Sequence, residues 1–159
     1  MDFFEYLKEK KTIALNLKVT DWRDAIRKGG AYLVQAGCCT EEYIDAMIRV
    51  CEEKGPYFVL GPGLAMPHAR PEQGALETGF ALITLEKGID FGDPENDPID
   101  VLLFMAAKDS KSHTETAMGQ VANFLDNMEW LIELRVAKQL EDVIALLEKA
   151  QIDIRYYKL

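Results

Sequence analysis

Cysteine, histidine and long apolar runs are all scarce in this 159-residue chain. The three cysteines are Cys38, Cys39 and Cys51, an odd number, with two adjacent and no C-x-x-C spacing. That pattern argues against a disulfide framework and fits a reduced, cytoplasmic setting. Cys51 falls on an apolar helical stripe and reads as a small core residue. The two histidines, His68 and His113, do not by themselves fill a zinc or iron site. No H-E-x-x-H or Cys/His cluster supplies further ligands; Asp97, Asp100 and Asp109 offer oxygens, but Asp97-Pro98 and Asp109-Ser110 read as ordinary turn or loop residues. Neither a metal nor any other cofactor is expected. G-x-S-x-G and the P-loop are missing too, which argues against serine hydrolysis and nucleotide-driven phosphorylation. Apolar stretches break at charge, Gly or Pro short of the ~18 residues of a membrane span, so no direct membrane insertion is expected. The start, Met1-Asp2-Phe3-Phe4-Glu5, lacks the basic and long apolar segments of a secretory signal. Basic residues are outnumbered, 18 Lys and Arg against 27 Asp and Glu, for a net charge of −9. Nucleic-acid binding needs a concentrated cationic face, which this balance does not favour.

What is present is an ordinary globular mix, 48% apolar and 28% charged, rich enough to build a core. The length predicts a single domain over 1–159. Residues 2–10 suggest a short helix with Phe3, Phe4 and Leu7 on one side. Thr12 to Leu17 alternates as a strand does. Trp22, Ala25, Ile26, Leu33 and Ala36 recur at helical spacing after Thr20 and Asp21. A second helix starts at Thr40, with Glu41 and Glu42 in its first turn and Ile44, Met47, Ile48 and Cys51 as its buried stripe. Gly55-Pro56 ends it. Strands are predicted at Tyr57–Leu60, Leu64–Met66, Gly79–Leu85 and Ile99–Ala107, the last buried on both faces. Further along, Val121, Phe124, Leu125 and Met128 form one helical stripe, and Leu140, Val143, Ile144 and Leu147 another. Strands in the middle with helices on either side predict an α/β sandwich with a mixed β-sheet flanked by helices.

Both histidines sit where a strand ends or a helix begins. His68 lies between Pro67 and Pro71, which stiffen the backbone. Gly61, Gly63, Ala65 and Ala69 leave room for another molecule to approach. Arg70 offers a planar cation suited to phosphate or carboxylate. This chemistry leaves two uses open: an accessible imidazole nucleophile, or a rigid loop whose histidine only hydrogen-bonds. Ser112-His113-Thr114-Glu115 fits a capping box, with Ser112 as N-cap and His113 as first helical residue. A helix start favours an anion and keeps an imidazole neutral. The alternative is an exposed histidine of no chemical role.

The run Pro62-Gly63-Leu64-Ala65-Met66-Pro67-His68-Ala69 resembles the phosphorylation-site signature of mannitol/fructose-type enzyme IIA domains (EIIA type-2) of the bacterial sugar phosphotransferase system. The resemblance covers roughly residues 10–150. A closer resemblance is to the ascorbate-specific IIA subgroup. It rests on Gly55-Pro56-Tyr57-Phe58-Val59, the Gly63–His68 run with Arg70-Pro71-Glu72, Asn96-Asp97-Pro98, Ala106-Ala107, Asp109 and His113. The resemblance implies the three-layer fold of that family and a phosphocarrier role. His68 would take a phosphoryl group from the carrier HPr, hold it as tele-phosphohistidine, and pass it to a cysteine of a cognate IIB protein. IIB would then serve the membrane component IIC, here for ascorbate uptake. His113 would support the phosphate. The family's arginine before the Pro-His motif has no counterpart at matching spacing, since Arg49 sits elsewhere, so Arg70 takes that place here, with Ser112 at the helix start. An apolar rim around Met66 and Leu64 would receive two carriers in turn, weakly enough for each to leave.

Two other readings stand beside this one. One is a regulatory domain of the nitrogen-related IIA type, whose phosphorylation state controls a partner. The other is a histidine-based hydrolase of small substrates. The tail Ile152–Tyr157 offers a surface to the domain itself or to a second copy, which leaves a homo-oligomer open.

Overall fold

The computed structural model describes residues 2–109 and 118–157. In chain order these form α1 (Phe3–Lys10), β1 (Ile13–Leu17), α2 (Trp22–Gln35), α3 (Glu41–Lys54), β2 (Val59–Gly61) and β3 (Leu64–Ala65). A 3-10 turn at Pro71–Gln73 follows, then β4 (Gly79–Ile89), β5 (Ile99–Ala106), α4 (Met118–Leu125), α5 (Met128–Val136) and α6 (Leu140–Tyr157).

The five strands make one mixed sheet in the order β1-β4-β5-β3-β2. β1 runs parallel to β4 and β3 parallel to β5, while β4–β5 and β2–β3 are antiparallel. β3 and β5 therefore finish at the same edge of the sheet, the edge where β4 begins. Directly paired residues share a face, and neighbours along a strand face opposite ways. Phe80 pairs with Met105 and Ala81 with Phe104, so Phe80 and Phe104 look out of opposite faces. Phe80 meets Phe3 of α1 edge-on, centroids 5.3 Å apart. Phe104 lies against Gly29 of α2, where a Cβ would stand 2.3 Å from its ring. α1 and α2 thus cover opposite faces. α3 packs on α2 through Ile44 at Gly30, and α6 packs on α1 and α5. The result is the α/β sandwich with a mixed sheet that the pattern predicts, in the three layers that the resemblance implies.

Local chemistry starts these helices where the sequence suggests. Asp2 and Asp21 cap α1 and α2, each accepting from the backbone N–H three residues on at 2.8 Å. Thr40 stands at the N-cap of α3 but its hydroxyl does not cap it; its backbone N–H donates to the Gly74 carbonyl at 2.9 Å, tying the helix start to the 3-10 turn's exit. Cys51 is buried in the core, as its place on the stripe predicts.

Four details depart from expectation. β2 starts at Val59, because Gly55 to Tyr57 form a tight turn, with the Tyr57 N–H donating to the Gly55 carbonyl at 2.8 Å. β4 runs four residues past Leu85, carried by pairing of Ile89 with Ile99 beyond an irregularity in register. Met128 does not continue the α4 stripe: Asn127 caps a new helix, accepting from the Trp130 N–H, and Met128 is exposed. In α6, Leu146, Ala150 and Ile154 join Val143 and Leu147 in the core, and Ile144 is only half-buried. Ile154 of the tail is thereby committed to this chain's own core, whereas Ile152 is exposed.

Candidate functional site

The loop that carries His68 is anchored to the sheet on both sides. The turn Gly61-Pro62-Gly63 joins β2 to β3 and needs a left-handed residue at Gly63, φ +74°. A Cβ there would stand 2.6 Å from the Arg135 guanidinium and 2.9 Å from the Asp100 carboxylate. Those two form a forked ion pair, Nε to Oδ2 at 3.0 Å and Nη2 to Oδ1 at 3.0 Å, that closes over the turn. So Gly63 is small to admit this pair, not an incoming molecule. Past β3, the Met66 N–H donates to the Phe58 carbonyl at 2.9 Å, and the Met105 N–H to the Pro67 carbonyl at 3.1 Å. Pro67 lacks an N–H, yet its carbonyl extends the ladder to the residue just before His68. Tyr43 of α3, fully buried, fixes the residue just after it. Its hydroxyl donates to the Met105 carbonyl at 2.9 Å and accepts from the Ala69 N–H at 3.1 Å. Burial holds that hydroxyl protonated by pushing its pKa upward.

The imidazole of His68 is half-buried, and its Nδ1 lies 2.7 Å from the Met66 carbonyl oxygen. A carbonyl only accepts, so Nδ1 carries the proton of this bond, and in the neutral ring the lone pair is on Nε2. Tyr57 meets the same ring edge-on, centroids 5.8 Å apart at 70°. The Tyr57 hydroxyl donates to the main-chain carbonyl of His68 itself. Burial, with a smaller contribution from Cys51, pushes the Tyr57 pKa up to about 12.

His68 and Arg70 line one open cleft of about 800 Å³, walled by the last turn of α3 at Val50, Glu53 and Lys54 and by the 3-10 turn. Two cations, Lys54 and Arg70, and two carboxylates, Glu53 and Glu72, share that lining with the imidazole. Arg70 is exposed, and its backbone N–H is held by the Gln73 side chain at 3.0 Å. Ser112 and His113 lie outside the described residues. The chain that leads to them leaves β5 at the edge where His68 sits, and Lys108 is still tied there, its N–H donating to Thr78 Oγ1 at 3.4 Å. The apolar rim is not built as expected: Leu64 and Met66 are buried in the core, while Tyr57 and Leu60 are exposed.

Asp97 accepts from the N–H groups of Phe91, Gly92 and Asp93 at 2.9–3.0 Å, which occupies it as a turn residue. Asp100 is taken by Arg135. Among the described residues, no three His, Cys, Asp or Glu side chains are grouped to hold a metal, and no helix is long and apolar enough to cross a membrane. Tyr43 and Lys54 were not singled out by sequence reasoning, and Tyr57 entered it only as a strand start and within the Gly55–Val59 run, not as a site residue. A tyrosine beside an otherwise aliphatic helical stripe was the available signal for Tyr43, since a buried phenol needs a partner.

The chain is similar to known proteins in sequence and in fold. Residues 6–150 match the family described as "Phosphoenolpyruvate-dependent sugar phosphotransferase system, EIIA 2". The ascorbate-specific PTS system EIIA component of Shigella flexneri is 40% identical over 149 residues, spanning 94% of this chain and 97% of that protein. The solution structure of the mannitol-specific cryptic phosphotransferase enzyme IIA of Escherichia coli is similar with a TM-score of 0.83 and 35% identity, over 94% of this chain and 99% of that one. The complex of enzyme IIA-mannitol with phosphorylated enzyme IIB-mannitol, also from Escherichia coli, contains a chain similar with a TM-score of 0.75 and 26% identity, over 87% and 95%.

Proposed function

The chain belongs to the EIIA 2 family of the phosphoenolpyruvate-dependent sugar phosphotransferase system, and from that premise we propose that it is a phosphocarrier whose reacting atom is Nε2 of His68. In the first step Nε2 attacks the phosphorus of phosphohistidine on HPr; a new P–N bond forms as the bond to the donor imidazole breaks. The proton on Nδ1 stays, held by the Met66 carbonyl, so the ring becomes cationic beside its own phosphoryl group. In the second step a cysteine thiolate of a IIB protein attacks that phosphorus, and His68 departs as a neutral imidazole. Such a step needs positioning and charge compensation more than covalent machinery. The phosphoryl group adds up to about two negative charges to a chain already at −9, and Arg70 supplies the local cation. His113 and Ser112 support the phosphate on this reading, as the family resemblance implies.

The observation that carries this reading is the 2.7 Å contact between Nδ1 and the Met66 carbonyl, which sets the tautomer for attack through Nε2. Similarity to ascorbate-specific EIIA components supports ascorbate as the sugar served, through IIB and IIC in the membrane, with this chain in the cytoplasm. The test is incubation with phosphoenolpyruvate, the general phosphotransfer proteins and HPr. The expected result is an acid-labile gain of one phosphoryl group, abolished in His68→Ala, and onward transfer to an ascorbate-type IIB. His113→Ala is expected to accept the group but to pass it on more slowly. Undiminished labelling of His68→Ala would overturn the assignment of the reacting atom.

A further inference from the structure

His68 is held by more than its own loop. Within the loop, Nδ1 meets the Met66 carbonyl; from outside it, Tyr43 holds the N–H of the next residue, Ala69, and Tyr57 holds the His68 carbonyl and meets the ring. Tyr57 thus touches both the main chain and the side chain of the histidine. It sits 11 residues earlier, in the tight turn that follows α3. That turn is itself braced, because Tyr57 packs edge-on against Phe58, centroids 4.8 Å apart, and Phe58, buried, meets Phe91 at 5.9 Å.

We infer that Tyr57 is a positioning residue for His68, setting the orientation of its ring at the cleft; this rests on the phosphocarrier reading only for its kinetic consequence. The imidazole has two soft torsions, and the Met66 carbonyl holds it at Nδ1. The Tyr57 ring, at 70° to the imidazole plane, limits its swing about that hydrogen bond. The hydroxyl acts on the other end: by holding the His68 carbonyl it fixes the backbone from which the side chain springs. A hydroxyl with its pKa raised to about 12 keeps its proton at every physiological pH, so the donor is always present. In-line attack on phosphorus is sensitive to such aim, because small errors in the approach of reacting atoms cost large factors in rate.

Two variants separate the two contacts. Tyr57→Phe keeps the ring and loses the hydroxyl; Tyr57→Leu loses both. Phosphorylation by HPr is followed for kcat and KM, and the ring-nitrogen chemical shifts of His68 are read by NMR in the unphosphorylated protein. Tyr57→Phe is expected to lower kcat about fivefold, the rate equivalent of one ordinary hydrogen bond, with KM for HPr unchanged. Tyr57→Leu is expected to lower kcat further and to shift the His68 nitrogens toward a mixture of tautomers. Wild-type kcat and shifts in both variants would overturn the inference, as would a change in KM alone, which would make Tyr57 a docking contact. If the wild-type protein accepts no phosphoryl group while Tyr57→Leu still moves the His68 shifts, the phosphocarrier reading fails and the positioning role stands.

Discussion

At the scale of single residues, the site is a histidine whose surroundings are written in backbone bonds. Tyr43 shows what they are worth. Its hydroxyl serves both the Ala69 N–H and the Met105 carbonyl inside the core. Tyr43→Phe leaves both without this partner, at a cost of about 1–3 kcal/mol in stability. Urea denaturation is expected to show the lower midpoint, and hydrogen exchange a faster Ala69 amide; unchanged protection at Ala69 would contradict the clamp. His68 and Arg70 were legible in the sequence because proline, glycine and a cation crowd around one imidazole. Tyr43 and Tyr57 were not, since their partners are main-chain carbonyls, which every residue offers and no residue type reveals. The rim residues misled for a related reason: Leu64 and Met66 follow a turn, but Leu64 lies in β3, an inner strand between β5 and β2, and Met66 directly after it is buried too.

At the scale of elements, contact between layers depends on α2 coming close to the sheet. Gly29 and Gly30 leave no Cβ between that helix and Phe104 on one side or Ile44 on the other. Gly29→Ala brings a helix-propensity gain of about 1 kcal/mol. The added methyl, 2.3 Å from a buried ring, opposes it with an overpacking cost of about 1–3 kcal/mol. Net destabilisation is expected in urea unfolding, and a more stable variant would show that Phe104 yields freely. Helix and strand identities were legible from period and caps. What escaped were ends set by distant partners. β4 reads as finished at the polar Glu86-Lys87-Gly88, yet Ile99 across the sheet keeps it extended to Ile89. Asn127, a good cap inside an apolar stretch, was the missed sign that Met128 opens a new helix.

At the scale of the whole molecule, buried acids set how stability responds to alkali. Burial raises the pKa of Cys51 to about 11 and of Cys39 to about 12, and pushes Tyr6 and Tyr43 upward too. The folded chain therefore keeps protons that the unfolded chain gives up at its ordinary thiol and phenol values of about 8.5 and 10. This contribution is whole below about pH 8 and declines as pH climbs through the folded values. The urea midpoint is expected to hold from pH 6 to about 8 and to drop steadily above about pH 9; a flat midpoint at high pH would refute it. The mixed sheet has a last consequence. Because the ladder from β5 reaches Pro67, the histidine beside it is a fixed post rather than a swinging arm. On the phosphocarrier reading proposed above, donor and acceptor would come to the same berth, one vessel at a time, so an excess of either carrier is expected to shut out the other.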